Sequence, residues 1–360
     1  MRIVFDREQD LAFKKALYSR ANEYFRQTGL SRYHNPAMLM KTIVMLSLYL
    51  LPFVAILALP LPYWLVLLLF ILMGIGIAGI GMSVMHDANH YGYSGNPRTS
   101  VLMGLSMNFI GADAYNWKIK HNKLHHVFTN IYGKDEDIES RAILRFAYAS
   151  PLKKYHRFQH YYAWFFYSLM TLAIVFGDFH KRIRYRSKGI TNQPLAVYRR
   201  SMAYLVISKI LYFLFIFGLP LWLTPLAWWQ VAAGFLVMHL TAGSILAIVF
   251  QMAHVTEGPQ QFVPDKEGRI GHSLVALQLA ATADFSRYNK WLSWYVGGLN
   301  YQIEHHLFPR ICHVHYPALS KIVEATTREF NMPYHEHKGF GEAMASHIRT
   351  LKKLGREQRF

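Results

Sequence analysis

Four apolar runs, at about 42–59, 63–84, 203–223 and 226–250, limit what these 360 residues can fold into more than any other feature. A hydrocarbon layer about 30 Å thick takes about 20 residues of helix to cross, and in lipid each backbone amide must find its partner inside the segment. The runs approach or meet that length and fall into two pairs. Pro60-Leu61-Pro62 breaks the first pair and Thr224-Pro225 the second, and neither break carries Lys, Arg, Asp or Glu. Basic residues gather elsewhere, at Lys153-Lys154, Lys181 to Arg186, Arg199-Arg200 and Lys352-Lys353. Uncharged turns on one side and basic segments on the other orient both hairpins, with the basic side in the cytoplasm. The expected architecture is an all-α integral membrane protein with four transmembrane helices in two hairpins.

The segment from Phe158 to Phe179 is apolar enough to be a fifth crossing, but basic residues flank both of its ends. A crossing there would place positive clusters on both faces of the membrane. Parity instead favours a segment that lies in the interface or dips in and returns.

Only 17% of the residues are charged, against about a quarter in a soluble domain. The net charge of +18 would suit a nucleic-acid partner, but it sits between apolar runs and no RNA-binding signature accompanies it. Its expected partner is the membrane surface. A single cysteine, Cys312, excludes an intramolecular disulfide and a cysteine-ligated iron–sulfur cluster held by this chain alone. The mixed-charge, amphipathic stretch through about Arg26 lacks the pattern of a cleaved signal peptide. Internal repeats and low-complexity segments are absent, and residues 1–360 read as a single membrane domain.

The chemistry is written in histidine. The clusters are His86-Asp87-Ala88-Asn89-His90, His121-Asn122-Lys123-Leu124-His125-His126 and Gln302-Ile303-Glu304-His305-His306. An i, i+4 pair on a helix puts two imidazoles on one face a turn apart, a spacing that suits one metal ion. Seven histidines exceed what a tetrahedral zinc takes and point to two metals. If the run from Tyr63 is helical as far as His90, its 28 residues span about 42 Å, so its end projects past the membrane with His86 and His90. The last run likewise ends in a histidine, His254. The site is thus a histidine-rich helical cap on the cytoplasmic edge, beside apolar helices. Imidazole suits zinc, copper, nickel and iron alike, so ligand type leaves the metal open. A site that a lipid chain can reach without meeting water suggests oxygen activation by a redox-active metal pair and attack on an unactivated C–H bond.

With these residues in view, the chain resembles the membrane fatty-acid desaturases, and among them the front-end branch. The resemblance runs over nearly the whole length. It is carried by HDANH at 86–90, HNKLHH at 121–126 and QIEHHLFP at 302–309, where the opening glutamine marks that branch. HDANHYGYSGNP at 86–97, MAHV at 252–255, GGLN at 297–300 and ICHVHYP at 311–317 are similar to cyanobacterial-type delta-6 desaturases. The resemblance implies that His86, His90, His121, His125, His126, His254, His305 and His306 bind two irons. It places Gln302 where a weak or water-mediated ligand would be.

Asp87 and Asn89 are expected to hydrogen-bond ligand imidazoles, and His313 and His315 to play a structural or outer role. His239 is expected to be a hydrogen-bonded packing residue, and Asp135-Glu136-Asp137 a solvated acidic loop or a docking element. Trp291, Trp294 and Tyr295 are candidates either for an acyl tunnel or for an interfacial belt. The haem-domain motif His-Pro-Gly-Gly of many eukaryotic front-end members is missing, so no fused haem domain is expected. Electrons would then come from a separate carrier, ferredoxin or a cytochrome. The implied activity is O2-dependent insertion of a cis double bond into an already unsaturated acyl chain carried on glycerolipid, coenzyme A or carrier protein, in a bacterial inner membrane. The rivals are a membrane hydroxylase or ketolase built on the same site and, from another class, a non-enzymatic haem carrier.

Overall fold

Asn35 and Pro36 start the first membrane helix. The Asn35 side chain accepts a hydrogen bond from the Met38 amide at 3.0 Å, and proline at the first helical position lacks the N–H that would otherwise go unmet. In the computed structural model, which describes residues 3–6, 10–139 and 143–358, four helices have the length and hydropathy to cross a membrane. They are Pro36–Ala58, Tyr63–Asn89, Leu195–Leu223 and Trp228–His254. The second runs past the apolar stretch into the first histidine cluster, and the fourth ends on His254, both as expected.

Two boundaries differ from the apolar runs. The first helix begins at its cap rather than at residue 42. The third begins at Leu195, so Arg199 and Arg200 lie on its opening turns rather than in a loop. Nothing between 195 and 202 breaks a helix, and arginine can lay its stem on apolar surface with its head in water. Ahead of Pro220 the same helix widens into a π-turn over Leu214–Gly218, which accommodates a residue that has no N–H to donate.

The second span is the central one. A Cβ on Gly74 would lie 2.4 Å from the Met238 carbonyl oxygen of the fourth span, and one on Gly76 would lie 2.8 Å from the Tyr49 amide nitrogen of the first. Helices gain no hydrophobic energy from meeting inside lipid, so close backbone contact at small residues supplies the packing. Tyr49, Phe53, Phe70, Met73, Tyr212, Phe235 and Met238 fill the core between the four spans.

The ambiguous fifth segment is a bent pair, Lys154–Ser168 and Met170–Ser187, turning by 68°. Its apex lies against the fourth span, where a Cβ on Gly243 would come 2.2 Å from the Ser168 carbonyl oxygen. Gly243 is about 16 Å along the helix from His254, taking 1.5 Å per residue. Both ends rejoin the cap: the backbone at His156 meets Gly355, and Arg182 reaches Asp113 and Asn116.

The rest of the cap is short helices. Helix Leu11–Thr28 packs Phe13, Leu17 and Phe25 against Leu319 and Val323 of helix Tyr316–Glu329. Of the N-terminal amphipathic stretch, residues 1–2 and 7–9 lie outside the described residues. Helix Phe340–Leu354 closes over the bent pair, with His347 bonded to the Tyr167 hydroxyl at 2.8 Å and to the Val255 carbonyl at 2.7 Å.

Candidate metal centre

Local widening of two helices sets the histidines. Residues Ile80–Val84 form a π-turn just before the first cluster, and Ile119–His125 form another through the second. In a π-turn the amide bonds to the carbonyl five residues back, as His126 does to His121, so residues five apart come onto one side. That is how His121 and His126 bring their Nε2 atoms to 3.1 Å. The third cluster rides on helix Gln302–Leu307, whose first turn is pinned by the Asp284 carboxylate accepting from the Ile303 amide at 3.0 Å.

All eight candidate histidines converge, in two overlapping groups. Ring nitrogens of His86, His90, His121 and His305 lie within 4.8 Å of one another, and so do those of His125, His254 and His306. His126 bridges them, grouping with His305 and His306. Its Nε2 is 2.9 Å from that of His305, and the Nε2 atoms of His86 and His121 are 3.2 Å apart. About 3 Å is the separation of two nitrogens each bonded at about 2.1 Å to one ion at right angles. Among the described residues the buried Nε2 atoms of His90, His125, His254 and His306 find no hydrogen-bond partner. Buried polar atoms are rarely left so unless something else binds them. The donor set therefore fits a pair of metal ions.

The opposite ring nitrogens are held. His125 Nδ1 donates to Asp135 at 3.1 Å and His306 Nδ1 to the Gln278 amide oxygen at 2.7 Å, while His305 Nδ1 lies 3.3 Å from the Tyr316 hydroxyl. Such partners fix the tautomer and leave the Nε2 lone pair for a metal. Burial, followed by the crowd of neighbouring imidazoles, pushes the pKa of His121, His126, His305 and His306 well below the usual range, which keeps them in the neutral, ligating form. At His125 burial again pulls downward most strongly, but the Asp135 and Asp137 carboxylates together outweigh it and the net shift is upward.

Gln302 lines the same cavity as His86 and His121, and its buried amide oxygen has no partner among the described residues. Asp87 accepts from both the amide and Nδ1 of His313, at 3.1 and 2.8 Å, and lies 3.8 Å from His86 Nδ1. Asn89 corrects an expectation. Its side chain donates to the Gly104 carbonyl at 3.2 Å and touches Met85, not an imidazole, because it points away from the face that carries His86 and His90. The acidic run is no solvated loop. Asp135 is buried beneath His125, Glu136 is tied to Arg184 and Tyr185, and Asp137 to Lys120. His315 packs on Phe25, and His239 bonds Tyr212 at 2.7 Å and Thr171 at 3.1 Å.

An apolar cavity of about 130 Å³ opens beside His86, His121 and Gln302, walled by Met85, Ile110, Ile174 and Val175 and lined also by His239. A second, of about 280 Å³, adjoins it at Met170, Ile174 and Phe250 and leads out past Phe146 and Phe166. Trp291, Trp294 and Tyr295 line neither; Trp291 is 86% exposed. Sequence reasoning did not find Gln278, Asp284, or the buried Lys209, whose ammonium bonds Asp178 at 2.7 Å within the third span. Only the intramembrane lysine carried a usable signal, a charge inside an apolar run.

The model of the fatty acid desaturase family matches residues 62–338. The sn-1 linoleoyl-lipid 6-desaturase of Synechocystis sp. is 33% identical over 97% of this chain and 97% of its own length. The enzyme of the same name from Arthrospira platensis is 33% identical over 96% of this chain and 93% of its length. An acyl-lipid (8-3)-desaturase of Physcomitrium patens is 33% identical over 95% of this chain and 72% of its length.

Proposed function

Because this chain belongs to the fatty acid desaturase family, we propose that its two histidine groups hold two irons that use O2 to place a cis double bond in a membrane-lipid acyl chain. The protein is a membrane oxidoreductase that desaturates fatty-acyl chains at the front end. One observation carries the metal assignment: eight imidazoles from four separate segments meet beside an apolar cavity. With iron bound, the pair supplies O2 activation for removing two hydrogens from neighbouring carbons, O2 leaving as water with two electrons and two protons drawn from outside.

The residues of the chain do the rest. Asp135, Gln278 and Tyr316 hold ligand rings in the orientation that points Nε2 inward. Gln302 stands over the cavity as a weak ligand or a water anchor. Met85, Ile110, Ile174 and Val175 exclude water and position the acyl chain. A linoleoyl lipid is the proposed substrate, on the names of the two cyanobacterial relatives. The proposed electron donor is a ferredoxin or cytochrome. The uncharged hairpin turns support a cytoplasmic site, and the two cyanobacterial relatives support a bacterial inner membrane.

The test is the fatty-acid profile of a host supplied with linoleate, expressing either this chain or His305→Ala. The expected result is a new polyunsaturated species, absent from the variant, with iron in the purified protein and no haem absorption band. A hydroxylated product would transfer the site to a hydroxylase, and an active His305→Ala would remove the metal assignment.

A further inference from the structure

A cleft of about 580 Å³ lies apart from the acyl cavity, between the start of the first span and the aromatic helix Lys290–Tyr295. Three lysines line it: Lys41, Lys290 and Lys321. None forms an ion pair among the described residues. The cleft's carboxylate, Glu324, is already engaged by Arg287 at 3.1 Å and Arg328 at 3.2 Å, and Arg287 is further matched by Glu336 at 2.5 Å. The cleft is thus a cationic seat.

Its depth identifies what it meets. Lys41 is buried on the first span, yet its neighbours Leu39, Met40 and Ile43 are exposed apolar residues facing lipid. On the other wall, the Tyr295 hydroxyl donates to the Ile75 carbonyl of the second span at 2.9 Å, which anchors the helix that carries exposed Trp291 and Trp294. Tryptophan and tyrosine gather where headgroups meet the hydrocarbon. A positive cleft at that level faces lipid phosphate, and basic pockets of this kind bind anionic headgroups. The ammonium of Lys41 donates once, to His313 Nε2 at 2.5 Å, and lies over the Trp294 ring. An ammonium has three N–H groups, so donors remain for a phosphate oxygen.

We propose that this cleft binds the phosphate of an anionic phospholipid, held by Lys41, Lys290 and Lys321. The seat also connects to the metal centre: Lys41 bonds His313, His313 bonds Asp87, and Asp87 lies between the candidate ligands His86 and His90 in the chain. Lipid in the cleft would therefore bear on the end of the second span as well as on the surface.

The experiment is native mass spectrometry of the full-length protein, titrated in detergent with phosphatidylglycerol, phosphatidylcholine or inorganic phosphate. Lys290→Gln/Lys321→Gln removes two exposed charges without disturbing the core. The expected result is tight retention of phosphatidylglycerol over phosphatidylcholine, weakened roughly ten- to thirty-fold in the double variant, with phosphatidylcholine unaffected. Equal retention by the variant would overturn the proposal. So would displacement of phosphatidylglycerol by inorganic phosphate, which would make the cleft a free-anion site. The readout does not depend on desaturation, so it stands or falls apart from the catalytic assignment.

Discussion

A ligand imidazole is only as good as the group behind it. Gln278 shows this most directly: its amide oxygen accepts from His306 Nδ1, and its amide nitrogen donates to the His126 carbonyl at 2.8 Å. Gln278→Leu removes both bonds while keeping the volume. We expect iron content or activity to fall about 10- to 100-fold with membrane insertion intact, as loss of an outer partner of a ligand does elsewhere. Metal analysis alongside product assay decides it; a variant with full iron and full activity would strip Gln278 of this role. Gln302→His puts a strong nitrogen donor where an amide now faces the cavity. The expected result is reduced activity or a displaced double bond, seen by locating the bond in the product. The histidines were legible as residues because their spacing is periodic. Gln278 and Asp284 were not, since a lone glutamine or aspartate has no spacing to betray which distant ring or helix it meets.

Among the elements, the spans were plain from hydropathy, but the cap at Asn35 and Pro36 that starts the first of them lies ahead of the apolar run and was found only in the structure. The π-turns at Ile80–Val84 and Ile119–His125 were not, because no residue type marks a turn widened by one position. Span packing rests on glycine. Gly74→Leu forces a side chain into the backbone of the fourth span, where even a Cβ would sit 2.4 Å from a carbonyl oxygen. Overpacking of this kind costs about 1–3 kcal/mol or more. We expect a clear fall in the thermal midpoint of the detergent-solubilised protein, whereas Gly177→Ala, inside a helix at a site with nothing within 4 Å, should leave it the same or slightly higher. Equal midpoints would refute the close-packing account.

For the whole molecule, one buried network ties the membrane part to the cap. Lys209 of the third span bonds Asp178 and the Gly111 carbonyl; Asn116 joins Asp178, and Arg182 bonds Asn116 and Asp113. Asp113, Asn116 and Asp178 also line the cavity beside His86 and His121, so the network forms part of its wall. Lys209→Met leaves Asp178 buried without its cation, a loss of about 3–5 kcal/mol for such pairs. Lys209→Met/Asp178→Leu should recover much of that in thermal unfolding; no recovery would mean that the lysine acts through packing alone. By itself the sequence determined four spans, their pairing and the seven clustered histidines, because hydropathy and periodicity are local properties written along the chain; His254 joined them only through the family resemblance. Only the tertiary structure decided that the eight form two groups joined by His126, that the fifth segment bends, and that Asp135, Gln278 and Lys209 face the partners they do. Those contacts join residues ten to about thirty positions apart with no repeating spacing to mark them, and their energies arise only when packing brings them within hydrogen-bond reach.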